Sequence, residues 1–332
     1  VEAATADEVV ELVRGCDARD EPVLVLGGGS NVVVADAGLD ATVVRITSRG
    51  MDVAAHPDDP GRVLLTVAAG EPWDDVVARA VGEGWSGLEC LSGIPGLTGA
   101  TPIQNVGAYG QEVAETLHRV RVYDRVTCEV AEMAPEECGF TYRHSVFKST
   151  DRYVVLAVSY GLPRDPLSRP VRYAEVARTL GIEPGGRVPL AAAREAVLGL
   201  RRGKGMVLDP TDADTRSVGS FFTNPVLDVD GFAALQRRVT EHLGPDAVLP
   251  RFPAEPGRVK TSAAWLIERS GFAKGYGAGP ARISTKHTLA LTNRGEAKAD
   301  DVLALAREVR DGVRATFGVT LVNEPVLVGL VL

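Results

Sequence analysis

An α+β protein of more than one domain is predicted by three features of the sequence. Short apolar or alternating runs bounded by glycine and proline recur through the first half, the pattern of strands. Capped amphipathic stretches interrupt them and dominate the last third, the pattern of helices. At 332 residues the chain also exceeds what one hydrophobic core usually holds, which suggests two or three domains.

Taken in order, Thr5-Ala-Asp-Glu8 reads as a capping box, and Val9, Val10, Leu12 and Val13 give the helix behind it an apolar face. Pro22–Leu26, Val32–Val34, Ala41–Ile46 and Arg62–Val67 read as strands, so a βαββ start is expected. Glu71–Gly84 carries Trp73, Val76, Val77, Ala80 and Val81 at helical spacing, with Gly82 and Gly84 ending it. Ser92–Gly110 is crowded with Gly, Pro, Ser, Thr and Asn. A loop of that length is functional or disordered, and Ile94, Leu97, Ile103 and Val106 favour order. Strands are expected over Leu117–Met133 and Arg152–Leu162, and an Ala-rich helix over Pro189–Leu200. Asp209–Asp214 is polar and turn-like, a fair domain boundary. Beyond it come helices over Phe232–Leu243, Ala263–Ser270 and Asp300–Phe317, with short strands near Thr288–Thr292 and Val319–Val322.

Composition excludes several classes. A net charge of −8 with no long basic run argues against a nucleic-acid binder, while a local basic patch for a phosphate ligand stays open. No apolar stretch is long enough for a membrane helix, and no secretory signal precedes the first helix, so a cytoplasmic protein is expected. Cys16, Cys90, Cys128 and Cys138 lack CxxC spacing and read as free buried thiols. Five scattered histidines without ligand spacing predict no metal site.

Five segments could carry chemistry. Gly27-Gly-Gly-Ser-Asn31 lies between two strands, not between a strand and a long helix, so it fails the context of a Rossmann turn. It is either an ordinary tight turn or a place where backbone N–H groups approach an anion, with Ser30 and Asn31 as side-chain partners. The Leu91–Gly110 run has glycines at 93, 96, 99, 107 and 110, and Thr98, Thr101, Gln104 and Asn105 offer uncharged donors and acceptors suited to a diphosphate and a heteroaromatic ring. In Tyr142-Arg-His-Ser-Val-Phe-Lys148, strand alternation sends Tyr142, His144 and Val146 to one face and Arg143 and Ser145 to the other. Arg143 is then either an exposed strand arginine or a bidentate carboxylate clamp. Ser220, in Ser217-Val-Gly-Ser-Phe-Phe-Thr-Asn-Pro225, is not in a Gly-x-Ser-x-Gly elbow and has no evident histidine base, so proton donation suits it better than nucleophilic attack. Glu324, in Asn323-Glu-Pro-Val326, follows an expected strand and alone would pass for a surface residue; Lys286 and His287 are expected to begin a strand.

In this order, over nearly the whole chain, the five segments resemble the UDP-N-acetylenolpyruvoylglucosamine reductase family, and Val171-Arg-Tyr-Ala-Glu-Val176 resembles the tyrosine-bearing insertion of one subclass. The resemblance implies a vanillyl-alcohol-oxidase/PCMH-type FAD-binding fold in two lobes, plus a smaller α+β substrate-binding domain. Lobe 1 would be residues 1–47 with 319–332, lobe 2 residues 48–203 including the Tyr173 segment, and the substrate domain residues 204–318. FAD would lie against Gly27, Gly28, Gly29, Ser30, Asn31, Ser92, Gly93, Ile94, Pro95, Gly96, Gly99, Ala100, Thr101, Gly107, Arg201 and Gly219. NADPH would reduce it, and UDP-N-acetylglucosamine enolpyruvate would then take a hydride at C3. The resemblance puts Arg143 and Glu324 at the substrate carboxylate, where Arg143 meets developing charge and Glu324 would act in its acid form. Ser220 would give the proton to C2. Tyr109, Tyr173, Lys204, Asn224 and His287 would contact sugar or diphosphate. A monomer is expected, with neither nucleic acid nor membrane as partner. Family members usually carry a Thr-Thr-x-Arg-type strand before the first helix; this sequence starts at Val1, past that point, so either a truncated chain or further residues ahead of Val1 are expected.

Three rivals differ in class. A flavin oxidase of the same fold acting on another substrate would lack the Ser220/Glu324 pair and often links a His or Cys to the flavin, and none stands in the first glycine-rich segment. A catalytically silent UDP-sugar-binding protein would have no need of Ser220, Arg143 and Glu324. A Rossmann dehydrogenase is disfavoured by the strand–loop–strand setting of Gly27–Asn31.

Overall fold

The computed structural model describes residues 1–332, and the chain divides into two compact units: 1–29 with 40–202, and 30–39 with 203–332. In chain order the elements begin β1 (Glu2–Ala3), α1 (Ala6–Asp17), β2 (Val23–Leu26), β3 (Val32–Val34), β4 (Thr42–Ile46), β5 (Met51–Ala55), β6 (Arg62–Ala68) and α2 (Trp73–Gly82). The hairpin β7 (Gly107–Ala108) and β8 (Gln111–Glu112) follows, then β9 (Leu117–Asp124), β10 (Glu129–Met133), β11 (Tyr153–Pro163), α3 (Ala174–Leu180) and α4 (Leu190–Gly203).

In the N-terminal unit, α1 starts where its cap requires. Thr5 Oγ1 accepts the Glu8 N–H at 3.1 Å, and Glu8 reaches back to the Ala4 N–H at 2.7 Å. Its buried stripe is Val9, Val10, Val13 and Cys16, and the three valines pack with Val44, Ile46, Tyr123, Val154 and Leu156. Burying each such valine is worth about 1.5–3 kcal/mol. Strand β4 pairs in parallel with both β1 and β2. A second, antiparallel sheet runs β10-β9-β11-β6-β5. Alternation in β6 sends Val63, Leu65 and Val67 inward against Trp73, Val76, Val77 and Ala80 of α2. The Trp73 indole N–H donates to the Leu91 carbonyl at 3.2 Å, which fastens α2 to the long loop that follows.

The C-terminal unit holds β12 (Ser217–Ser220), β13 (Val226–Asp228), α5 (Val229–Leu243), β14 (Arg258–Lys260), α6 (Ala263–Arg269), β15 (Ala281–Ile283), β16 (Ala290–Asn293), α7 (Ala299–Phe317) and β17 (Val326–Val328). Sheet β12-β16-β15 is antiparallel, as is the pair β13-β14. Residues 30–39 belong with this unit because β3 pairs in parallel with β17. Phe221, Phe222, Leu266, Val309, Val313 and Phe317 fill its core. No helix of the chain is long and apolar enough to cross a membrane.

Four local expectations fail. Tyr142–Lys148 is not a strand: Thr141 and His144 form a single bridge around a two-residue turn, and Arg143 sits at φ +55°. The Ser145 hydroxyl explains the break, accepting the Phe147 N–H at 3.1 Å and donating to the Ile103 carbonyl at 2.6 Å. Lys286 and His287 lie in the loop between β15 and β16, where Ser284 Oγ accepts both their N–H groups at 3.0 and 3.1 Å. Val319–Val322 is extended but forms no ladder; the strand comes after Pro325, as β17, so Glu324 precedes a strand instead of following one. All four cysteines are free and three are buried, but Cys128 is exposed in the turn between β9 and β10.

Candidate active site

The two glycine-rich segments meet. A Cβ on Gly28 would stand 3.2 Å from Gly96 Cα, so the main chains approach closely where Gly28 lacks a side chain. Gly29, Gly93 and Gly96 hold φ values of +67°, +71° and +112°, and the Cβ direction at Gly29 opens onto free space. The hydroxyls of the second segment turn inward. Ser92 Oγ donates to Glu89 O at 2.7 Å, Thr98 Oγ1 to Glu71 O at 3.1 Å, and Thr101 Oγ1 bonds Thr98 O and the Tyr160 hydroxyl at 2.8 Å each. Ile94 to Leu97 are half-buried and Ala100 is exposed. Main chain and glycine surface, and not these hydroxyls, are then what the segment can offer a ligand, the uncharged lining of a cradle.

Behind the cradle stands an ion pair. Asp74 takes Arg194 in a bidentate grip at 2.7 and 2.8 Å and accepts the Gly93 N–H at 2.6 Å. Burial opposes the Asp74 charge, but Arg194 and the Gly93 N–H outweigh it and hold the carboxyl below its usual range. Asp74 also attracts Arg201, whose guanidinium burial pushes below its ordinary pKa, and Tyr109 adds to that attraction. Tyr109 sits edge-on to Tyr173 at 5.4 Å between ring centroids, and burial raises its phenol to about 12. Thus Tyr109, Tyr173 and Arg201 fall in one neighbourhood of the N-terminal unit.

Arg143 lies in the same unit, at the tip of its tight turn. Its guanidinium donates to the carbonyls of Asn105, at 3.2 Å, and Gly107, and Lys148 Nζ holds the Arg143 carbonyl at 2.9 Å. Gly107 is glycine for a visible reason: a Cβ there would come within 2.7 Å of Glu112 Cγ and 3.0 Å of Arg143 Nη1.

In the C-terminal unit, Ser220 ends β12, opposite Ala290 of β16, and the bulge before it turns on Gly219 at φ +79°. The next residues join the C-terminal segment. Glu324 N–H donates to Phe221 O at 2.8 Å, and Thr223 N–H to Val322 O at 3.0 Å. Asn31 follows Glu324 closely, its side chain donating to the Glu324 carbonyl at 3.4 Å and its own carbonyl accepting the Val326 N–H at 3.0 Å. Asn224 Oδ1 accepts the first amide of α6, from Ala263, at 3.0 Å. Lys204 and His287 belong to segments that share Asp214. The Gly205 main chain packs on Asp214, and the Asp214 carboxylate accepts the Thr285 N–H and hydroxyl at 2.8 and 2.6 Å and Arg294 at 2.6 Å. Asp74, Arg194, Asp214, Glu112 and the inward role of Asn105 have no signature in the sequence, since each takes at least one partner that lies outside its own turn or element.

Residues 1–132 match the FAD binding domain family, so the chain is a flavin-binding protein. Residues 209–328 match the C-terminal domain of UDP-N-acetylenolpyruvoylglucosamine reductase. The reductase of Thermobifida fusca is 59% identical over 99% of this chain and 92% of its own length. That of Streptomyces avermitilis is 60% identical over 99% and 89%. The crystal structure of the Thermus caldophilus reductase aligns with a TM-score of 0.65 at 26% identity, covering 98% of this chain and 91% of that one. The chain belongs to the UDP-N-acetylenolpyruvoylglucosamine reductase family, an FAD-dependent oxidoreductase family of peptidoglycan-precursor synthesis. The flavoprotein fold and the FAD cofactor expected from the sequence are borne out.

Proposed function

We propose that this chain reduces UDP-N-acetylglucosamine enolpyruvate to UDP-N-acetylmuramate with NADPH, that Arg143 and Glu324 hold the enolpyruvyl carboxylate, and that Ser220 delivers the proton to C2. Bound FAD would take a hydride from NADPH and pass it to C3 of the enolpyruvyl group. Addition at C3 drives negative charge through C2 into the carboxylate. Arg143, its guanidinium directed by the carbonyls of Asn105 and Gly107, would meet that charge. Ser220 is a weak acid, and the carbanion character at C2 makes it an adequate donor.

The observation that carries the reading is the main-chain bond from Glu324 to Phe221, which ties Glu324 to the residue after Ser220 across a long separation in sequence. Lys204 suits a diphosphate as a point charge; Tyr109, Tyr173, Asn224 and His287 are assigned to the sugar and nucleotide. The remaining cofactor contacts are assigned to the glycine-rich segments, Arg201 and Gly219. The enzyme is proposed to work as a cytoplasmic monomer, without nucleic acid.

Ser220→Ala tests it. Flavin content and bleaching by NADPH should be unchanged, while recolouring by the enolpyruvyl sugar slows about 10²–10⁴-fold, the usual span for a lost general acid. Recolouring at the parental rate would remove Ser220 from the chemistry.

A further inference from the structure

By its chemistry Asn105 could be an uncharged donor aimed at a ligand; in the fold it is 2% exposed and spends itself internally. Its Nδ2 donates to Glu112 Oε2 at 2.8 Å and to the Thr141 carbonyl at 3.2 Å. Its Oδ1 accepts the Ala114 N–H at 3.2 Å, and its main-chain carbonyl accepts Arg143 Nη1 at 3.2 Å. One residue thus grips the base of the Arg143 turn, one guanidinium nitrogen and the nearest carboxylate. Both Asn105 and Arg143 are left-handed, at φ +45° and +55°, a backbone state that persists only where surroundings over-determine it.

The acceptors matter as much as the geometry. Carbonyl oxygens fix the direction of the guanidinium, and Glu112 stands beside it as an ion-pair partner. Glu112 Oε1 stands 3.8 Å from Arg143 Nη1, beyond hydrogen-bond length, and Asn105 holds its other oxygen. Without that hold Glu112 would pull the guanidinium off line, and without Glu112 the Asn105 amide would lose one of its two anchors.

We infer that Asn105 is the positioning residue for Arg143: its amide restrains Glu112 and the Thr141 carbonyl so that the guanidinium stays aimed at the enolpyruvyl carboxylate. This rests on the role proposed for Arg143 above. The test compares holoenzyme variants by anaerobic rapid mixing, first with NADPH and then with the enolpyruvyl sugar. Asn105→Asp keeps size and the acceptor for Ala114 but loses both donated bonds. It should bleach normally and recolour about 10²-fold more slowly, the scale of a misplacement near 1 Å. Glu112→Ala should slow recolouring about tenfold, and Glu112→Gln, which keeps an acceptor for Asn105, should restore most of it. If Asn105→Asp fails to hold flavin, the Glu112 pair decides. Parental recolouring in both Asn105→Asp and Glu112→Ala, with Arg143→Ala slow, would overturn the inference alone. Glu112→Gln as slow as Glu112→Ala would overturn it too, because charge and not a held geometry would then be at work. Parental recolouring in Arg143→Ala would instead sink the reading of Arg143 on which it rests.

Discussion

Arg143 sits in a two-residue turn, left-handed in its backbone and pinned by side-chain bonds to carbonyls of a distant loop. Ser220 sits at the end of a strand, registered against Ala290, with the next residue bonded main chain to main chain on both sides, to Leu289 and to Glu324. Arg143 is aimed through side-chain bonds, and Ser220 through main-chain bonds. A ladder survives a change of side chain; a side-chain network does not. Substitutions around Arg143 should therefore damage function at a distance, whereas those around Ser220 should act mainly where the chemistry is.

Arg143→Lys breaks the first region hardest. An ammonium cannot take two carbonyls and a carboxylate in one plane. Recolouring of the NADPH-reduced enzyme should fall about 10²–10³-fold, as for other lost charge-stabilising donors; a loss under tenfold would contradict the fixed-fork account. Next in size is Gly107→Ala, whose Cβ would meet Glu112 Cγ, Gln111 O and Arg143 Nη1 at 2.7, 2.9 and 3.0 Å. About 1–3 kcal/mol of destabilisation is expected from overpacking, with a larger relative loss in enolpyruvate reduction than in flavin reduction. Equal losses in the two half-reactions would separate Gly107 from Arg143.

Asp74→Ala removes the partner of Arg194 and the acceptor for Gly93. It should cost about 1–3 kcal/mol in urea unfolding and loosen FAD, measured by fluorescence release on dilution. Retained FAD affinity would mean that the cradle does not depend on the ion pair. The smallest effect concerns Asp214. Burial alone would raise its pKa, but hydrogen bonds from Thr285 and Ser284 and the charge of Arg294 bring it to about 2. The folded value lies below the unfolded one near 3.9, so its contribution is present above about pH 4 and lost as pH falls towards 2. The gap in thermal midpoint between the parent and Asp214→Asn should narrow below about pH 4; a gap constant from neutral to acid pH would contradict it.

Where local chemistry decides structure, the sequence is a faithful guide. The Thr5 cap, the alternation of Arg62–Val67 and the apolar stripe from Val9 to Val13 become the elements they promise. The close approach of Gly28 to Gly96 is a contact that a glycine-rich sequence makes readable. The turn at Arg143 is not readable, since alternating Tyr142, Arg143 and His144 mimic a strand and the bonds that bend them come from Asn105, Gly107 and Ile103. The terminal strand is hidden for a similar reason: Val319–Val322 and Val326–Val328 are alike in composition, and the partner strand β3 selects between them. Long-range hydrogen bonds settled what propensity left even.

The most direct measurement is an anaerobic visible spectrum of the purified chain with FAD, taken before and after NADPH and again after UDP-N-acetylglucosamine enolpyruvate. A yellow protein bleached by the first and recoloured by the second is the expected result. A protein that binds FAD and bleaches, yet stays colourless with the enolpyruvyl sugar, would contradict the assigned reaction while leaving the flavin fold intact.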